Sequence, residues 1–103
     1  MSYLFMRHNK SANYQVGLPV VFYDEGDAVV AYSPAIDLAT QGDSLADAKR
    51  MFAEASELFI DELLERGTLE SALKELGWHK VNHRWQIPKK VIHQEIQKIK
   101  VPA

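Results

Sequence analysis

Residues 44–67 carry the strongest pattern in the chain, that of a capped amphipathic helix. Ser44 is followed three residues later by Asp47, which resembles a capping box, and Gly67 stands where a left-handed residue closes a helix. Between them apolar residues recur at spacings of three and four. They are Leu45, Ala48, Phe52, Ala55, Phe59 and Leu63, widened by Met51, Leu58, Ile60 and Leu64. The opposite side carries Lys49, Arg50, Glu54, Glu57, Asp61, Glu62 and Glu65, so the pattern predicts a surface helix with one buried side.

A second, shorter helix is predicted directly after the first. Thr68 is placed to cap its start, and Gly77 is placed to end it. The inward-facing residues are expected to be Leu69, Ala72, Leu73 and Leu76.

The residues before the long helix show a period of two, which is typical of strands. Alternation over residues 14–22 predicts a first strand, with Pro19 indicating an edge or a bulge. A turn at residues 24–27, in which Gly26 supplies a positive φ, leads to a second strand over residues 28–32. Pro34 stops this strand, and residues 36–40 are long enough for a short third strand before Gly42. We therefore expect a small antiparallel sheet.

A hairpin is predicted after the helices. Residues 78–81 and 84–87 are rich in aromatic and β-branched side chains on either side of a polar turn at Asn82 and His83. Pro88 breaks it. The tail, residues 89–103, fits either a helix, through Ile92, Ile96 and Ile99, or an extended segment, which the sequence favours slightly.

These elements predict one α+β domain over residues 1–103, with one long and one short helix on a small antiparallel sheet. Residues 1–13 are expected to form a loosely held arm, residues 14–78 the core, and residues 79–103 a basic hairpin and tail. The chain has no cysteine, which excludes disulfides and thiolate chemistry, and no apolar run approaches the ~18 residues of a membrane span. A cytoplasmic location fits this composition.

Charge is distributed unevenly along the chain. Up to Trp78 there are six Lys or Arg against thirteen Asp or Glu, a net −7, and beyond it six against one, a net +5. One interpretation is that the basic tail lies against an acidic helical face of the same protein or of a second copy. The other is a nucleic-acid-binding patch, with Lys89, Lys90, Lys98 and Lys100 as its candidates.

No catalytic, metal-binding or cofactor-binding residue is predicted. A two-metal nuclease centre needs carboxylates on adjacent strands, about 4 Å apart, whereas the aspartates here occupy turns and a helix start. Asp24 and Asp27 flank the hairpin glycine, and Asp43 is placed to cap backbone N–H groups.

The histidines and tryptophans also have structural interpretations. His79 and His83 in a hairpin are separated by about 13 Å, too far to share a metal, and His8 and His93 lie elsewhere in the chain. No G-x-S-x-G elbow or glycine-rich phosphate loop is present. Trp78 and Trp85 can stack on bases, but across a hairpin they more often pack on each other or the core.

The order of elements over residues 16–78 resembles the HicB family of antitoxins, which belong to type II toxin-antitoxin pairs. The matching landmarks are the acidic turn with Gly26, Pro34 after the second strand, the Gly42, Asp43 and Ser44 run, the helix Ala46 to Arg66, and the RGTLESALKELGW run at residues 66–78, which contains Gly67 and Gly77. The resemblance implies an α+β core with a partial ribonuclease H-like HicB fold that lacks nuclease carboxylates. It also implies a role without catalysis, in which the protein binds and neutralises a small HicA-type mRNA interferase.

This chain departs from the family at its C-terminus. Family members commonly add a ribbon-helix-helix or helix-turn-helix module for operator DNA, but only seventeen residues follow Gln86 here. DNA binding of that kind is therefore not expected. The remaining alternatives are a toxin-free homo-oligomer and a nucleic-acid-binding regulator that uses the tail.

The partner expected from the resemblance is a small basic protein. The acids Glu54, Glu57, Asp61 and Glu65 are the candidate contact patch, since a negative surface speeds association with a basic partner. A homodimer is also expected, because a sheet edge at residues 14–22 or the tail can pair with a second copy.

Overall fold

A computed structural model describes residues 14–103, so the predicted arm, residues 1–13, lies outside the described residues. An antiparallel sheet has the strand order β1-β2-β3, with β1 at Val21–Asp24, β2 at Val29–Ser33 and β3 at Leu38–Gly42. Two helices follow, α1 at Leu45–Arg66 and α2 at Leu69–Glu75. A separate hairpin of β4, His79–Val81, and β5, Arg84–Gln86, comes last. The fold is of the small α+β class, as predicted.

Both ends of α1 carry the predicted caps. The Ser44 side-chain oxygen accepts a hydrogen bond of 3.1 Å from the Asp47 N–H, and an Asp47 carboxylate oxygen accepts one of 2.9 Å from the Asp43 N–H. Gly67 closes the helix with φ 72°. The prediction that Asp43 caps the helix is wrong, because Ser44 is the N-cap and Asp43 contributes its own N–H to the Asp47 side chain.

The core lies between the three-stranded sheet and the two helices. Its buried hydrophobic residues are Ala31, Ala35, Ile36, Ala48, Phe52, Leu73 and Trp78. The alanines let α1 approach β2 and β3 closely. Gly42 is part of the same approach, since a Cβ at Gly42 would lie 2.5 Å from the Ala48 backbone nitrogen. Gly42 was expected to follow the third strand; it is instead the last residue of β3, and the helix backbone requires its lack of a side chain.

The first strand is shorter than predicted. Residues 14–20 form no strand, although Tyr14, Val16 and Leu18 are half-buried and Gln15 and Gly17 are exposed, as the alternation indicated. The partner strand explains the difference. Val21 pairs with Tyr32, and the chain turns away after Ser33, so no backbone of β2 remains for residues 14–19 to pair with.

The third strand also starts later than predicted. Residues 34–37 form a turn in which Asp37 has φ 51°, so β3 begins at Leu38 rather than at Ile36. Pro34 directly follows the second strand, as expected.

The buried side of α1 is narrower than the sequence indicated. Ala48 and Phe52 are buried, but Leu45, Met51 and Leu58 are exposed, Met51 by 37% and Leu58 by 68%. A three-stranded sheet covers only one side of the helix, so the apolar residues that widen the stripe on the far flank remain in contact with solvent.

The second helix and the hairpin follow the sequence closely. Gly77 has φ 95°, and Asn82 and His83 have φ 52° and 66°, the left-handed values that a two-residue hairpin turn needs. Thr68 occupies the N-cap position of α2, but its hydroxyl donates to the Leu63 carbonyl at 3.5 Å instead of capping an N–H.

Side chains tie the hairpin to the start of the described chain. The Trp85 N–H donates a hydrogen bond of 2.6 Å to the Tyr14 hydroxyl, and the Arg84 guanidinium lies 4.9 Å from the centre of the Tyr14 ring. The Lys80 Nζ atom lies 5.0 Å from the centre of the Trp85 ring, a cation–π contact between residues that face each other on β4 and β5. Residues 14–20 are therefore held by side chains rather than by strand pairing.

The tail forms neither helix nor strand, and its residues are exposed. Within residues 14–103, neither helix has the length and hydropathy that spanning a membrane requires.

Candidate protein-binding surface

The solvent side of α1 brings together the four acids predicted as a contact patch. Glu54, Glu57, Asp61 and Glu65 follow one another at intervals of three and four residues, which places them on one side of a helix. Glu54, Glu57 and Glu65 are exposed and Asp61 is half-buried. We call these four residues the acidic face.

An arginine neutralises part of the negative charge at the N-terminal end of this face. Arg50 pairs with Asp47 at 2.6 Å and with Glu54 at 3.1 Å. Hydrogen bonds to Asp47 and Glu54 raise the pKa of Arg50 above its ordinary value. The Asp43 N–H and Arg50 together lower the pKa of Asp47. Among the described residues, Glu57 and Glu65 of this face form no such ion pair.

The exposed apolar residues of α1 adjoin the acidic face. Met51 and Leu58 are seven residues apart and so lie on the same side of the helix, with half-buried Ala55 between them. Leu58 lies one turn after Glu54, and Glu62, paired with Arg66 at 3.3 Å, follows one turn after Leu58 in the same row. We call Met51 and Leu58 the apolar strip. An apolar strip beside acids is a suitable contact surface for a partner that is both basic and apolar.

The tail displays the four lysines predicted as a nucleic-acid patch. Lys89, Lys90, Lys98 and Lys100 are all exposed, at positions that no helix or strand holds in a fixed arrangement. The same segment exposes Ile92 by 90%, Ile96 by 91% and Ile99 by 77%. The tail is therefore amphipathic in composition as well as basic.

The other basic residues of the C-terminal region contact the domain itself. Glu70 pairs with Lys74 at 3.1 Å and with Lys80 at 3.8 Å. The hydrogen bond from Lys74 and the charges of both lysines lower the pKa of Glu70. Lys80 and Arg84 thus have partners within the fold, whereas the four lysines of the tail are displayed to solvent.

The carboxylates of the turns lie in separate places and have structural partners. An Asp24 carboxylate oxygen accepts a 3.0 Å hydrogen bond from the Gly26 N–H, and Asp37 accepts one of 2.9 Å from the Tyr32 hydroxyl, which raises the pKa of Tyr32. Residues 14–103 contain no group of three or more His, Cys, Asp or Glu side chains placed to hold a metal ion.

The histidines and tryptophans are spread in a similar way. His79 lies on β4, His83 in the hairpin turn and His93 in the tail, while His8 is outside the described residues. Trp78 is buried in the core, so its ring is not available as a platform for bases.

An apolar groove next to the hairpin was not found by sequence reasoning. Its volume is about 490 Å³, and Leu18, Ile36, Ile60, Leu64, Leu73 and Trp78 are among its lining residues. Five parts of the chain form it, namely residues 14–18, Ile36, α1, α2 and residues 78–85, so no local sequence pattern predicts it. The only signal was the half-buried alternation at residues 14–18.

Comparison with models of protein families, with curated proteins and with solved structures gave no match for this chain.

Proposed function

We propose that this protein is a HicB-like antitoxin with a partial ribonuclease H-like fold, a cytoplasmic protein without catalytic activity that binds and neutralises a small basic mRNA interferase of the HicA type. The proposal starts from the family resemblance of residues 16–78. The observation that carries it is the acidic face of α1, which adjoins the exposed apolar strip on the same helix.

The two parts of this surface have different physical roles. An interferase that handles RNA is expected to be basic around its active site, so the acidic face attracts it and raises the association rate. Charge at the rim of an interface adds little affinity, whereas apolar side chains that lose their contact with water add more. Met51 and Leu58 supply such side chains at the edge of the acidic face.

Co-expression with HicA-type proteins encoded beside this chain tests the proposal. The expected result is restored growth of the toxin-expressing cells and co-elution of the two proteins from a size-exclusion column. Failure of every such protein to bind would contradict the antitoxin role.

A matched pair of variants tests the surface. The triple variant Glu54→Lys, Glu57→Lys, Glu65→Lys should lose both the complex and the rescue. A control with the same change in net charge replaces the exposed acids Glu25, Asp27 and Glu75 by lysine and should keep both. Equal loss in the two triples would mean that overall charge matters and the acidic face does not.

A second candidate function is nucleic-acid binding by the tail, which is favoured by the exposure of its four lysines. Counterion release predicts that such binding weakens steeply as salt is raised. Replacement of Lys89, Lys90, Lys98 and Lys100 by glutamine should abolish it. Absence of DNA and RNA binding at low salt would exclude this candidate.

A further inference from the structure

We propose that the tail of one copy of this chain docks on the apolar strip of α1 in a second copy, so that two chains exchange tails. Both surfaces are apolar and exposed. Ile92, Ile96 and Ile99 are exposed by 90%, 91% and 77%, and Leu58 on α1 by 68%. Large apolar side chains at such exposure bury their surface only when another surface covers them.

The spacing of apolar residues is the same on the two surfaces. In the tail, Ile96 follows Ile92 by four residues and precedes Ile99 by three. On α1, Ala55 follows Met51 by four residues and precedes Leu58 by three. An alternation of four and three is the spacing of the seam between two packed helices. When the tail coils into a helix on α1, its isoleucines therefore form one row that faces Met51, Ala55 and Leu58.

The charges beside the two rows are opposite. The tail carries four lysines and one glutamate, and Lys100 directly follows Ile99 while Lys89 lies one turn before Ile92. On α1 the apolar strip is flanked on one side by Glu54 and Glu65, and Glu62 follows Leu58 by four residues at the end of the same row. Docking thus brings ammonium groups next to carboxylates while the apolar rows meet beside them.

The position of the tail favours a second copy over the same molecule. The tail begins after Pro88, whose ring packs against Gly77 at the hairpin end of the domain. The described residues span 62 Å along their longest axis and 19 Å along their shortest, with the isoleucines of the tail left exposed rather than folded back. When each copy docks its tail on the other, the apolar strip and the tail isoleucines of both copies are covered. The resulting assembly is a dimer with two-fold symmetry.

Docking of the tail has a consequence for the proposed function. A docked tail covers part of the surface that was assigned to a basic partner, so the two compete for α1. Only this consequence rests on the proposed function, because the docking itself involves surfaces of this chain alone.

Sedimentation of the full chain over a concentration series tests the dimer. Ile96→Asp with Ile99→Asp in the tail, and separately Leu58→Asp on α1, should each raise the dimer dissociation constant by at least about tenfold. The matched control Gln94→Asp with Gln97→Asp adds the same charge to the tail without removing isoleucine, and should weaken the dimer much less. All substituted positions are exposed, so circular dichroism should show an unchanged fold.

Cross-linking tests the docking site directly, since the chain has no cysteine of its own. Leu58→Cys and Ile99→Cys are made in separate chains, one of them isotope-labelled, and mixed under mild oxidation. A disulfide between a labelled and an unlabelled chain is the expected product. The proposal is overturned if the protein is monomeric at all concentrations, if the dimer persists in both aspartate variants, or if the cysteines join only when placed in one chain. None of these outcomes depends on whether a toxin binds.

Discussion

The indole N–H of Trp78 donates a hydrogen bond of 2.7 Å to the backbone carbonyl oxygen of Ala35, across 43 positions of the chain. Both residues are buried. The bond joins the end of the helical region to the turn between β2 and β3, so it fixes the sheet against the segment that leads into the hairpin.

Replacing Trp78 by phenylalanine should destabilise the protein by about 1–3 kcal/mol, because the Ala35 carbonyl then lies buried without a partner. Trp85→Phe is the control, since Trp85 is half-buried and its bond to Tyr14 uses the backbone N–H, which the substitution keeps. Urea unfolding of both variants measures the free energies. Equal losses of unfolding free energy in the two variants would show that the Trp78 hydrogen bond adds nothing to the effect of the smaller ring.

Replacing Gly42 by alanine should cost about 1–3 kcal/mol, the usual range for adding a methyl group to a packed core. The new Cβ would lie 2.5 Å from the Ala48 nitrogen, so α1 would have to move away from β3. Gly17→Ala, where no atom lies within 4 Å of the added Cβ, should stay within about 0.5 kcal/mol of the unmodified protein. Thermal unfolding compares the two, and a tolerated Gly42→Ala would argue against the close approach.

Replacing Ser44 by alanine should cost about 1 kcal/mol, because the Asp47 N–H loses its acceptor at the start of α1. Thr68→Ala is a suitable comparison at the start of α2, since the Thr68 side chain occupies an N-cap position without capping an N–H. We expect the Thr68 variant to lose less than half as much in urea unfolding. A larger loss at Thr68 would contradict the two assigned roles.

Stability should fall in acid partly through Asp47. Its folded-state pKa is lowered by the Asp43 N–H and by Arg50, so the unfolded state takes up a proton more readily as pH falls. The contribution of Asp47 to the stability of the folded state is complete above the unfolded-state pKa of about 3.9. It disappears as the pH drops through the lower pKa of the folded state. Asp47→Asn should be less stable at neutral pH and should show a flatter decline below about pH 4.

Asp27→Asn, in the exposed turn between β1 and β2, is the control. The same unfolding measurements on this variant show how much of the change at Asp47 would follow from removing any exposed carboxylate. A decline in Asp47→Asn as steep as that of the unmodified chain would contradict the role of Asp47.

Features set by short-range chemistry could be predicted from the sequence. The caps at Ser44 and Gly67, the left-handed turn at Asn82 and His83, and the position of the acidic face on α1 all depend on neighbours within a few residues. For these, local patterns were sufficient.

Features set by distant neighbours could not be predicted. The start of β1 depends on where β2 turns away, and the identity of Gly42 depends on how closely a helix passes. Leu58 is exposed because the sheet is only three strands wide, and no residue near Leu58 in the sequence indicates the width of the sheet. The apolar groove is formed by five parts of the chain, so short stretches of sequence give almost no indication of it.

The bond between the Tyr14 hydroxyl and the Trp85 N–H joins residues 71 positions apart. Closing so long a loop costs conformational entropy, and the cost is recovered only after the intervening helices and strands have become compact. The link between these two ends is therefore expected to form late in folding and to open early in unfolding. Amide exchange should then be faster at Trp85 than in the middle of α1, even though this hydrogen bond is among the shorter ones in the molecule.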